Sequence, residues 1–160
     1  MKTSANAPVA EPTPDFSSDQ FLIGQWSCDL QREGRQPAKE EAFYSWALGG
    51  QWLALTYTLT PGEADLPVTT TMAYETFDAA LRKWVYFSFR SDGVYGTSYS
   101  DGWCRNVKIY EPAVDAPQKF RLVVTKVSDQ EFSEEVEIPS GNGWRRTFLL
   151  RCRKAATSTT

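Results

Sequence analysis

From Gln25 to Arg153 the chain is a succession of short alternating runs, broken about every ten residues by turn residues, and this rhythm leaves little room for helices. The first run covers about Gln25 to Arg32 and turns at Glu33-Gly34-Arg35; the second, about Lys39 to Leu48, stops at Gly49-Gly50. Trp52 to Leu59 alternates cleanly and closes at Pro61-Gly62. Thr69 to Phe77, Trp84 to Arg90, Val94 to Ser100 and Trp103 to Tyr110 follow, separated by Asp78 to Lys83, Asp92-Gly93 and Asp101-Gly102. After a loop at Pro112 to Pro117 come Lys119 to Val127, Glu131 to Ile138 and, past Ser140 to Gly143, Trp144 to Arg153. A flat sheet of about nine or ten strands would leave two long unpaired edges. The expected fold is therefore all-β, a single antiparallel up-and-down barrel over residues 15–154, with a two-sheet sandwich as the alternative.

The run Phe21-Leu22-Ile23-Gly24-Gln25-Trp26-Ser27-Cys28 opens this succession. Gly24 permits a sharp turn, and Trp26, Cys28 and Leu30 then share one strand face, so that a bulky ring plugs one barrel end. Before it, Asp15 to Leu22 carries cap-type residues and apolar spacing that predict a short helix or turn. Residues 1–14 read as a disordered leader without a secretory signal, and residues 155–160 as a disordered tail.

Composition excludes several kinds of chemistry. Histidine is absent from the 160 residues, which removes Ser-His-Asp and Cys-His catalysis, histidine-ligated haem and the usual zinc sites. The net charge of -3 and the lack of a basic stripe argue against nucleic acid, and no run is long enough to span a membrane. Cys28, Cys104 and Cys152 lack metal-ligand spacing, and their odd number predicts unpaired thiols in a reducing, cytoplasmic setting. No phosphate-cradling glycine loop is present, so neither cofactor nor metal is expected.

The Gly24-x-Trp26 opening, with Arg151 and Arg153 on the last strand, resembles the calycin superfamily of lipocalins and fatty-acid-binding proteins. In that superfamily a cationic side chain of the last strand packs across the Gly-x-Trp ring, and the resemblance gives this role first to Arg151. Leu22 to Trp26, Leu48 to Leu53 and Tyr74-Glu75-x-Phe77-Asp78 are similar to bacterial lipocalin-like domains of unassigned function, over roughly Phe21 to Lys154. Nitrobindin-type haem barrels are similar at Leu-x-Gly-x-Trp, but their haem-binding histidine has no counterpart here.

Aromatic residues make up 14% of the chain, enough to line a cavity as well as fill a core. Trp46, Leu55, Tyr57, Tyr74, Phe87, Phe89, Tyr95 and Trp103 lie on central strands and are the expected contacts for a small hydrophobic or aromatic molecule. Tyr95, Thr97 and Tyr99 share one strand face and would form a hydroxyl-rich wall beside Gly96. For a cofactor-independent cyclase or isomerase acting on a hydrophobic substrate, the candidate proton-transfer groups are Glu75, Tyr99 and Asp101. Trp84 to Arg90 is apolar on both faces, where a monomeric barrel wants one wet face. Either the leader covers the second face or a second copy does, as a homodimer through strand 84–90.

Overall fold

The structure, a computed structural model, describes residues 15–156. The leader expected over residues 1–14 lies outside that range, as does all but the start of the expected tail. The strands are β1 (Gly24–Arg32), β2 (Ala38–Ala47), β3 (Trp52–Thr60), β4 (Thr69–Asp78), β5 (Lys83–Arg90) and β6 (Tyr95–Ser100). They continue with the short β7 (Trp103–Cys104), then β8 (Val107–Pro112), β9 (Arg121–Ser128), β10 (Glu131–Ser140) and β11 (Gly143–Lys154).

Each long strand pairs antiparallel with its neighbours in sequence, and β1 also pairs with β11. Ser98 and Tyr99 of β6 meet Pro112 and Glu111 of β8, so ten strands close into the expected barrel. The run expected from Trp103 to Tyr110 is broken, because Arg105 takes a φ of 57° in a turn that folds the two-residue β7 back on β8. Closure leaves few unpaired backbone edges, the hazard that made a flat sheet improbable.

Strand parity sets the interior. On β1, Trp26, Cys28 and Leu30 point inward and are at most 1% exposed, while Gln25, Ser27 and Asp29 face out. A 3-10 turn over Phe16–Leu22, capped by Asp15 accepting from the Ser17 N–H at 2.9 Å, plugs the end where β1 begins. Phe21 sets its edge against Trp26, Trp103 and Phe132, and Phe16 does the same to Trp46 and Trp84. The Trp26 indole N–H donates to the Leu22 carbonyl at 2.6 Å, which ties plug to strand.

The cation over the Trp26 ring is Lys154, 5.2 Å from its centroid, and its ammonium also donates to the Phe21 carbonyl. This corrects the expectation of Arg151. Trp26 pairs with Lys154 across β1 and β11, whereas Arg151 pairs with outward Asp29 and is exposed. Glycine is required at two places nearby. Gly24 has a φ of 120°, and at Gly102, with a φ of 93°, a Cβ would come within 2.8 Å of the Trp84 ring nitrogen.

A second correction concerns the cysteines. Cys28 and Cys152 are direct partners in the β1–β11 register, with Cα atoms 4.1 Å apart, and form a disulfide. Only Cys104 is a free thiol, and it is exposed. The ground on which a reducing compartment was expected is thereby removed. No helix among the described residues is long and apolar enough to cross a membrane.

Candidate functional site

At the end away from the plug, the barrel opens into a cavity of about 600 Å³. Its rim carries Arg32, Arg90 and the loop from Ala116 to Gln118, and its walls include Tyr57, Tyr86, Leu122 and Phe148. Deeper in, Glu40 and Glu134 border both this cavity and a void of about 30 Å³ that reaches Tyr44 and Tyr110. A space that small takes about one water molecule. The upper cavity is large enough for a small organic molecule.

Glu40 arrives there by alternation. It sits between Ala38 and Ala42 on the inward face of β2, is 6% exposed, makes no side-chain hydrogen bond or ion pair among the described residues, and borders the cavity. Burial pushes its carboxyl up to about 8, and the nearby Glu134 carboxylate adds to the rise. Glu134 shares the inward face of β10 with Phe132 and Val136 and is partly exposed where it borders the cavity. Burial raises it to about 7, opposed by a long hydrogen bond, 3.4 Å, donated by the Tyr44 hydroxyl. Burial likewise lifts the Tyr44, Tyr57 and Tyr86 hydroxyls above the usual phenol range, and the acid pair adds to this at Tyr44 and Tyr57. These hydroxyls therefore stay protonated and can donate.

The raised carboxyls set a stability profile. Between the ordinary carboxylate range and about pH 8, folded Glu40 keeps a proton that the unfolded chain has released; for Glu134 the window ends at about pH 7. The native state then binds more protons, so stability falls as pH rises through these windows. Glu40→Gln/Glu134→Gln is expected to be on the order of 3 kcal/mol more stable than the parent at about pH 8.5, after allowing for solvent in the cavity, and nearly equal at about pH 5. Urea unfolding at the two pH values measures this. With no histidine in the chain, few other groups titrate there. Equal profiles for parent and variant would show that the two carboxyls are not perturbed.

A separate network occupies the plugged end. Lys108 of β8, 1% exposed, donates to both Asp19 oxygens at 3.2 and 3.4 Å and to Glu75. Its ammonium stands 4.3 Å from the Trp84 ring centroid. The Trp103 indole donates to Asp19 at 2.7 Å, and the Tyr110 hydroxyl to Glu75 at 2.5 Å. Burial raises the Glu75 carboxyl, against the pull of Lys108. Every strong donor here already has an acceptor, and the network joins the plug turn to β4 and β8.

The expected site residues divide accordingly. Tyr57 lines the upper cavity, Leu55 and Glu75 border the small void, and Trp103 lies between that void and the plug. Trp46 packs at the plug, where its indole donates to the Gln20 side chain at 3.0 Å. Tyr74, Phe87, Phe89, Tyr95 and Tyr99 lie on the outward parity of β4, β5 and β6, so the hydroxyl-rich wall faces out of the barrel. Phe89 is 51% and Tyr95 80% exposed. Asp101 is an exposed turn residue paired with Lys83 at 2.5 Å. The inward positions of β6 are instead Gly96, Ser98 and Ser100. Strand 84–90 does carry apolar residues on both faces: Trp84 and Tyr86 point in, and Val85, Phe87 and Phe89 point out.

Sequence reading missed Glu40 and Glu134. Parity carried the signal: Glu131, Glu135 and Glu137 fall on the outer face of β10, which leaves Glu134 on the inner one. Among the described residues no group of three or more His, Cys, Asp or Glu side chains could hold a metal ion. The chain matches no family model and no curated protein.

Proposed function

We propose that this barrel binds a small molecule with an apolar body in the cavity at its open end. The observation that carries this reading is the cavity of about 600 Å³, whose apolar and hydroxyl-bearing walls lead inward to two acidic side chains. Further support comes from the likeness to lipocalins. A Gly-x-Trp plug sealed by a last-strand lysine closes one end and leaves the other open, the arrangement in which small barrels hold ligands. The test incubates the protein with a small-molecule extract and follows bound compounds by mass spectrometry. Retention is expected for the parent and for Tyr95→Ala on the outer face. It should be lost in Ser88→Trp, which fills the cavity from β5. Retention that survives the filled cavity would place the ligand elsewhere and sink the reading.

A second reading, proton-transfer catalysis, is favoured by one observation. Glu40 and Glu134 face the same space with carboxyls raised to about 8 and about 7, so near neutral pH one can hold a proton while the other accepts one. In that case the acid–base roles belong to this pair rather than to Glu75, Tyr99 and Asp101. A compound converted rather than retained, with conversion lost in Glu134→Gln, would select this reading.

A further inference from the structure

We infer that the ligand carries an organic amine, seated as its ammonium between Glu40 and Glu134 with its apolar body against Tyr57, Leu122 and Phe148. The inference rests on the binding reading above and names the class of molecule. Glu40 is more than nine-tenths buried, borders the cavity, and makes no side-chain hydrogen bond or ion pair among the described residues, although Arg32 and Arg90 line the same cavity. Glu134 lines the same cavity and the same small void, and receives only the long Tyr44 bond. Two acidic side chains held near one another without a cation are costly to the fold. An ammonium between them satisfies both with charge-assisted hydrogen bonds, the strong kind.

The surroundings favour an organic cation over a metal ion. Hard divalent cations take about six oxygen ligands, whereas among the described residues no group of three or more His, Cys, Asp or Glu side chains could hold one, and Tyr57, Leu122 and Phe148 share the cavity wall with the two carboxyls. Tyrosine ring faces attract ammonium groups as well. The contrast with Lys108 is instructive. At the plugged end the fold supplies its own buried ammonium to a pair of carboxylates, 1% exposed and fully engaged. At the open end the rim cations Arg32 and Arg90 make no ion pair with Glu40 or Glu134, Arg90 being held by Asp92, and an ammonium ligand would supply the partner. Arg32 marks the competing chemistry, since its buried Nε has no hydrogen-bond partner and would suit a carboxylate ligand.

The test uses the whole chain and Nile red, a neutral dye whose fluorescence rises in apolar cavities, displaced by octylamine, octanol or octanoate at about pH 7.5. Dye binding is expected. Octylamine should displace it at roughly one-tenth the concentration of octanol or less, the return on charge-assisted hydrogen bonds. Glu40→Gln/Glu134→Gln should keep dye and octanol binding but lose the preference for the amine. In the parent protein, titration calorimetry in two buffers of unequal ionisation enthalpy should show protons released by octylamine and none by octanol. Dye binding with octanol or octanoate as effective as the amine would overturn the amine assignment and leave the binding reading standing. Failure of the dye and all three compounds to bind would overturn both.

Discussion

Replacing the buried disulfide, as Cys28→Ala/Cys152→Ala, is expected to cost about 3–5 kcal/mol and to lower Tm by about 10–15 °C. The magnitude follows from loop size. The bond joins residues 124 apart in sequence, so it ties the first strand to the last and closes nearly the whole described chain into one loop of the unfolded state. Alanine is the right substitute, because Cys28 and Cys152 are 1% and 0% exposed and a serine hydroxyl there would lack a partner. Urea unfolding followed by tryptophan fluorescence gives the free energy. The bond itself is checked by alkylating the denatured, unreduced protein: only Cys104 should react. Three alkylated cysteines would show that no bond forms, and the predicted stability loss would go with it. Reduction of the folded protein should be slow and should track opening of the barrel, since neither sulfur is within reach of a thiol reagent.

That cross-link shows which features a linear reading reaches. The Gly24-x-Trp26 run and the alternation after it were enough to assign the inward face of β1, because buried and exposed side chains there differ sharply in polarity. Registers of neighbouring strands follow from the turns. The pairing of β1 with β11 does not, because it exists only once the barrel closes; Cys28 meeting Cys152, and Lys154 rather than Arg151 meeting Trp26, are consequences of that register. On β6 the difficulty was different. Tyr95, Thr97 and Tyr99 alternate with Gly96, Ser98 and Ser100, so both faces carry hydroxyls and neither declares itself the core. The inner face takes the small residues, where Trp84, Tyr86 and Ser88 are their partners on β5. Glu40 and Glu134 were concealed by the sound rule that carboxylates face water. Polar residues that break such a rule within a well-patterned fold are where function is to be sought.

Lys108→Met is expected to cost about 3–5 kcal/mol, because it strips the cation from two carboxylates that remain buried. Asp19 and Glu75 are 1% and 3% exposed, and the void beside Glu75 takes about one water molecule. Methionine fills much of the space but leaves the carboxylates with hydrogen bonds only from Trp103 and Tyr110. Arginine should not rescue the loss, since a planar guanidinium is larger than the ammonium packed against Trp84. Neutralising the partners should help. In Lys108→Met/Asp19→Asn/Glu75→Gln no charge remains to be compensated, and about half or more of the lost stability should return. Acid should help the single variant too. With Lys108 gone, the attraction that opposes burial at Glu75 is gone, so its carboxyl rises further. The proton it takes up as pH falls then removes part of the penalty, and Lys108→Met should lose less relative to the parent at about pH 5 than at about pH 8. Urea midpoints of the parent, single and triple variants at both pH values decide the matter. A cost below about 1 kcal/mol, the scale of an exposed ion pair, would mean that the plug holds by its aromatic packing alone.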